Sequence, residues 1–164
     1  MNIQLEQIFN LEGSKKEFDF CFEPEYSLSD DISLDAPGIA VSGKIENNTG
    51  IVSLSGIAKF SATVVCSRCA ESFKKDFQVD IGHLLANNLI NEDNDDYIVV
   101  ENSMLDLSSL ICGDIIFSLP LRFLCDEECK GLCSKCGKNL NNGPCDCKKD
   151  IDPRMAALLQ LLDD

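Results

Sequence analysis

Residues 52–66 read Val-Ser-Leu-Ser-Gly-Ile-Ala-Lys-Phe-Ser-Ala-Thr-Val-Val-Cys. The even positions, Val52, Leu54, Gly56, Ala58, Phe60, Ala62, Val64 and Cys66, are apolar or small, and the odd ones are mainly Ser, Lys and Thr. Successive side chains of a strand point to opposite faces. A period of two over this length therefore predicts one long strand with a single buried face. Gly56 predicts a bend in it. After Cys66-Ser67-Arg68-Cys69 the alternation resumes in Phe73, Phe77, Val79 and Ile81, opposite Lys74, Asp76, Gln78 and Asp80. Two long strands with a tight link make a hairpin, with Cys66 and Cys69 at its tip.

Upstream, Phe18, Phe20 and Phe22 alternate with Glu17, Asp19 and Cys21, and Ile39, Val41, Gly43 and Ile45 alternate with small or polar neighbours. Both read as strands, the second ending in the turn residues Asn47-Asn48-Thr49-Gly50. The acidic stretch from Pro24 to Asp35 reads as a loop with a short strand around Ile32 and Leu34. Downstream, residues 91–96 are an acidic, turn-rich loop, and Tyr97 to Val100 reads as a strand. Asp106 is placed to cap a helix over 107–119, with Leu107, Leu110, Ile111, Ile115 and Leu119 on one face and Pro120 as its stop. Asp152 and Pro153 read as N-cap and first position of a last helix, Arg154 to Leu162. The expected fold is α+β, mostly antiparallel β as a bent sheet or partly open barrel, with one or two helices and a C-terminal zinc-stabilised arm. The expected division is a β-rich domain over 1–122, a cysteine-rich zinc arm over 123–150 and a C-terminal helix over 151–164.

The chain has 164 residues, 14 Lys plus Arg against 28 Asp plus Glu, and a formal charge of −14. Phosphate contacts need clustered cations, so general nucleic-acid binding is disfavoured and a basic protein partner fits better. The cations that do cluster, Lys130, Lys135, Lys138, Lys148 and Lys149, lie on the cysteine arm. No apolar run approaches the roughly 20 residues of a membrane helix. The opening MNIQLEQIFN has neither a basic nor an apolar leader region, so a cytoplasmic location is expected. With one histidine, a histidine-based triad or metal site would rest on His83 alone. His83, at the end of an apolar strand, reads as structural.

Ten cysteines carry most of the chemistry. In a reducing compartment close cysteine spacings read as metal ligands. Cys133-x2-Cys136-x8-Cys145-x-Cys147 matches a four-thiolate zinc site. One Cys-x-x-Cys turn offers two sulfurs, Gly137 lets N–H groups turn toward them, and Asn141-Asn142-Gly143-Pro144 supplies the reversal. Too little apolar material lies between 125 and 150 to fold alone, so the metal would be its core. Cys66, Cys69, Cys125 and Cys129 make a second set, which would staple the arm to the β domain. Two alternatives stay open: Cys66 and Cys69 are structural thiols, or Cys125 and Cys129 join the downstream site. Cys112 and Cys21 read as inert thiols. Four-thiolate sites are closed and structural, and neither a phosphate-binding glycine loop nor a nucleophile elbow is present. The chain is expected to be a binding or assembly protein, not an enzyme.

Cys66-Ser-Arg-Cys69, Leu119-Pro120-Leu121, Cys129-Lys-Gly-Leu-Cys133-Ser-Lys-Cys136-Gly137, Asn139-Leu140-Asn141, and Asp152-Pro153-Arg154 before Ala157-Leu158 occur in this order. Together they resemble the YceD family, the large ribosomal RNA subunit accumulation proteins, over about 38–162. The resemblance implies a non-enzymatic role in ribosome biogenesis, through accumulation or processing of 23S rRNA. The expected partner is a basic ribosomal protein or a large-subunit precursor particle, with direct rRNA binding weak or absent. The alternative is a redox-switched zinc holdase chaperone, whose thiolates release the metal on oxidation.

Overall fold

The computed structural model describes residues 1–24, 28–29, 31–87 and 96–147. In chain order its elements are β1 (Asn2–Gln4), α1 (Glu6–Asn10), β2 (Lys15–Phe22), β3 (Ile32–Leu34), β4 (Ile39–Asn48), β5 (Ile51–Val65), β6 (Ser72–Ala86), β7 (Tyr97–Val99), β8 (Met104–Asp106) and α2 (Leu107–Ser118). Short 3₁₀ turns lie at Glu101–Ser103 and Leu140–Asn142. The expected last helix, Arg154 to Leu162, lies outside the described residues, as does the acidic run except Asp96.

Strands β2-β4-β5-β6-β7 follow one another in a curled sheet, and β3 pairs with the far end of β5. The β5–β6 hairpin is its spine, running in register from Val52 opposite Leu85 to Val65 opposite Ser72. The even-position stripe of β5 is the buried one, with Ala58, Ala62 and Val64 fully covered and Val52 and Leu54 nearly so. Among the described residues all pairings of this sheet but one are antiparallel; β6 and β7 run parallel, so the sheet is mixed. Strands β2 and β7 do not pair with each other, so among the described residues the sheet stays open and no barrel closes.

Gly56 stays in the ladder opposite Gly43. The pair makes room for a ring: a Cβ at Gly43 would stand 2.6 Å from Phe18 Cζ and 2.5 Å from Ser55 O. Thr49 and Gly50 form the two-residue turn of the β4–β5 hairpin, both at positive φ (52° and 86°). This handedness matches the twist of the flanking strands.

Helix α2 covers the sheet. Asp106 caps it, its carboxylate accepting from Ser108 N at 3.1 Å. Leu107, Ile111, Cys112 and Ile115 are buried, and Leu110 and Leu119 pack at the margin. Strands β1 and β8 pair as a separate small ribbon, bringing Ile3, Leu5 and Ile8 to the same core. Sequence reading missed β1, α1 and β8, which are three to five residues long and too short for periodicity to register.

Candidate metal centres

The tip of the β5–β6 hairpin builds the first cluster. Cys66 N donates to Glu71 O and Ala70 N to Cys66 O, both at 2.9 Å, closing a tight knuckle with Ala70 at φ 56°. Cys66 and Cys69 are buried there, 1% and 3% exposed. The chain leaving α2 comes back over this tip. Phe123 is buried and meets Phe77 edge to face at 5.9 Å, and Phe77 stacks on Phe60 at 5.0 Å. Ser67 N donates to Phe123 O at 2.8 Å. Arg68 clasps the returning segment, its Nη1 donating to Glu127 O at 3.0 Å and Cys129 O at 3.1 Å, while Leu132 N donates to Arg68 O. Gly131 allows this close approach: its φ is 71°, and a Cβ would lie 2.9 Å from Arg68 O.

These contacts bring Cys125 and Cys129 against the knuckle. The Sγ atoms of Cys69 and Cys125 are 3.6 Å apart and those of Cys66 and Cys129 3.9 Å, and all four lie within 4.8 Å of one another. The arm supplies the second cluster alone. Cys133 N donates to Lys138 O, Gly137 N to Cys133 O with Gly137 at φ 70°, and Leu132 bridges Asn139. The sulfurs of Cys133, Cys136, Cys145 and Cys147 again lie within 4.8 Å. The structure thus gathers each expected set of four, and Cys125 and Cys129 stand with the hairpin tip rather than the downstream group. Either set could hold a metal ion.

The thiols divide into acidic and proton-retaining ones. Burial opposes charge on Cys66, but the N–H groups of Cys125, Cys69 and Arg68 outweigh it and its pKa falls to about 6. The N–H groups of Cys136 and Lys135, with the Cys145 thiol, bring Cys133 to about 6. The Asn141 amide holds Cys129 below its ordinary value. In Cys69 the Glu71 N–H, which lowers the pKa, is outweighed by burial and the Cys66 and Cys129 thiols, and the shift is upward. Cys125 is exposed as a residue, but its sulfur faces the cluster; burial of that sulfur and then the other three thiols push it up to about 12. The Cys136 thiol, then burial, pushes Cys147 up to about 12. Four negative sulfurs this close repel one another, so some keep their protons unless a cation replaces them.

Cys112 is buried, and Cys21 is exposed with its thiol 3.2 Å from Pro37 O. His83 sits within β6, half-buried, and its Nε2 meets Asp114 of α2 at 2.8 and 3.0 Å, tying helix to sheet. Lys130, Lys135 and Lys138 are exposed on the arm, and Lys148 and Lys149 lie outside the described residues. Sequence reading took Arg68 only as a motif residue and Asn141 as a turn residue. The signal for Asn141 was an amide inside a cysteine-rich loop, where sulfur needs N–H donors.

The features define a class: a curled sheet whose longest hairpin ends in a cysteine knuckle, covered by a cysteine-built arm. The family model described as "Large ribosomal RNA subunit accumulation protein YceD" matches residues 54–162, which include both clusters. The chain belongs to the YceD family. It is 26% identical over 127 residues to the chloroplastic large ribosomal RNA subunit accumulation protein YCED homolog 1 of Arabidopsis thaliana, covering 59% of this chain and 40% of that protein. It is 28% identical over 123 residues to an uncharacterized protein of Mycobacterium tuberculosis, covering 73% of this chain and 59% of the relative. It is 26% identical over 138 residues to the uncharacterized protein YlbN of Bacillus subtilis, covering 82% and 80%. The chain therefore spans only about half the length of the first two of these relatives. No solved structure matches significantly. No helix among the described residues is long and apolar enough to cross a membrane.

Proposed function

We propose that this protein is a non-enzymatic factor in large ribosomal subunit biogenesis. It supports the accumulation or processing of 23S rRNA in the cytoplasm by engaging a basic ribosomal protein or precursor particle. The observation that carries this is the family match over 54–162, which includes the hairpin tip and the arm. Zinc is the metal whose chemistry fits the donors. A tetrahedron with Zn–S distances of about 2.3 Å has edges of about 3.8 Å; two sulfur pairs of the hairpin-tip set, at 3.6 and 3.9 Å, bracket that value, and all four sulfurs of each set lie within 4.8 Å. A set of four thiolates closes the coordination sphere, which suits a structural role and leaves no position for a reacting water.

The charge of −14 favours a cationic protein as direct partner, because complementary fields speed encounter and suppress wrong pairings. The test is a titration against basic large-subunit proteins and against protein-free rRNA over a salt series. Salt-sensitive binding to one basic protein, lost on reversing Asp93, Asp95 and Asp96 to Lys, supports the reading. Tight, sequence-tolerant binding to naked rRNA at about 0.15 M salt, where charges are screened beyond about 8 Å, overturns it.

A second reading is a redox-switched holdase. The exposure of Cys136 in the arm cluster favours it, since an oxidant can reach that residue. Peroxide that releases metal and switches on suppression of aggregation would establish the holdase; metal release without that activity leaves the assembly factor.

A further inference from the structure

We infer that Asn141 is a positioning residue that couples the two four-cysteine sites, so that a metal ion in the arm cluster strengthens binding in the hairpin-tip cluster, and the reverse. The inference rests on reading both clusters as metal sites.

Asn141 lies between Cys136 and Cys145, inside the eight-residue loop that an ion in the arm cluster would close. Its side chain serves the other cluster. Nδ2 donates to Cys129 Sγ at 3.2 Å, and Oδ1 accepts from Lys130 N at 2.7 Å. The amide cannot be turned over without loss. Lys130 N is a donor and requires the oxygen, which leaves the NH₂ for the sulfur. The backbone places this side chain: Asn141 N donates to Asn139 Oδ1 at 2.9 Å, and Leu140 N donates to Gly131 O at 2.9 Å. These bonds fix the 3₁₀ turn Leu140–Asn142 over the Cys129–Cys133 link that the two clusters share.

The consequence is thermodynamic. An N–H bond to sulfur favours the thiolate, the form that ligates metal, and such supporting bonds are worth roughly 10- to 100-fold in metal affinity. The donor is delivered only while the arm loop keeps its shape. With no ion across Cys133, Cys136, Cys145 and Cys147, that shape rests on solvent-accessible hydrogen bonds such as Lys138 Nζ to Pro144 O and Asn141 N to Asn139 Oδ1, because the arm has little apolar core. Occupying the arm cluster therefore holds the donor on Cys129. Linkage makes the effect reciprocal, by the same factor.

The test uses the full-length metal-free protein titrated with cadmium under chelator competition. Cadmium-113 NMR resolves the two sites, and C145S/C147S or C66S/C69S assigns them. Hairpin-tip affinity should fall about 10-fold in C145S/C147S and about 10-fold in Asn141→Ala, with little further loss when they are combined. Arm affinity should fall by the same factor in C66S/C69S. Asn141→Asp, which keeps the acceptor for Lys130 N but has no donor for sulfur and sets a second negative charge beside it, should lose at least as much hairpin-tip affinity as Asn141→Ala and shift the hairpin-tip resonance. Independent, multiplying losses, or an Asn141→Ala protein with unchanged hairpin-tip affinity, overturn the coupling while leaving two metal sites. A wild-type protein that takes up no cadmium overturns the metal reading, and the inference with it.

Discussion

The sulfurs of Cys69 and Cys125 stand 3.6 Å apart although the residues are 56 positions apart in the chain. At that spacing they are not a disulfide, which requires about 2.05 Å. They are one edge of a four-sulfur set that joins the end of a long hairpin to the segment leaving the helix.

From this arrangement the first expectation is stoichiometric. Freshly reduced protein should carry about two zinc ions per chain, one for each set of four donors. Cys69→Ser and Cys133→Ser should each bring the content to about one. Elemental analysis of the three proteins checks this, and a wild-type value near one rejects the second site.

The arm should depend on Phe123 as its apolar foot. Truncating a buried Phe to Ala costs about 3–5 kcal/mol, and here the edge-to-face contact with Phe77 goes with it. Phe123→Ala should speed amide exchange over 124–132 well beyond any change in β4 and β5. Uniform acceleration across the sheet would show that the arm and sheet unfold together.

Asn47 should be a costly position to change. It is 1% exposed, its Nδ2 donates to Ile8 O at 2.7 Å, and its Oδ1 accepts from Gly50 N at 2.9 Å. Asn47→Ala removes both bonds, leaving Ile8 O with the longer bond from Ser14 Oγ (3.3 Å) and Gly50 N in its exposed turn, and should destabilise by about 1–2 kcal/mol. Chemical denaturation with an unchanged slope measures it, and a loss under about 0.5 kcal/mol would mean that water replaces the amide.

Acid sensitivity should have a surface component at Asp35. A hydrogen bond from Lys74 holds this carboxyl below its ordinary 3.8, against the opposing effect of burial, with Thr63 adding a second bond. A carboxylate lowered in the folded state contributes stability above its unfolded pKa and loses it as pH falls through the folded value. Below about pH 4 the wild type should therefore lose stability that Lys74→Met lacks from the outset. The two stability curves should converge as pH drops, and parallel curves would show that the pair contributes nothing.

The sequence by itself determined the spine and the donor sets. Alternation over 52–66 and 73–81 is a local property, because a strand's two faces are written in its own residues, and it placed the hairpin, its buried stripe and the cysteines at its tip. Asp106 and Pro120 bounded the helix for the same reason. The cysteine spacings marked two groups of four but left open which group Cys125 and Cys129 join. Only the tertiary structure decided that, through Arg68, Phe123 and Gly131, whose contacts turn the chain back across more than fifty positions. It alone also showed that Gly43 makes room for the Phe18 ring and Gly56 for the β4 backbone, that β7 runs parallel to β6, and that Asn141 reaches from one cluster to the sulfur of the other. Each of these joins parts of the chain whose separation in sequence carries no periodic trace, so the partner is fixed by how the sheet curls and where the helix returns the chain.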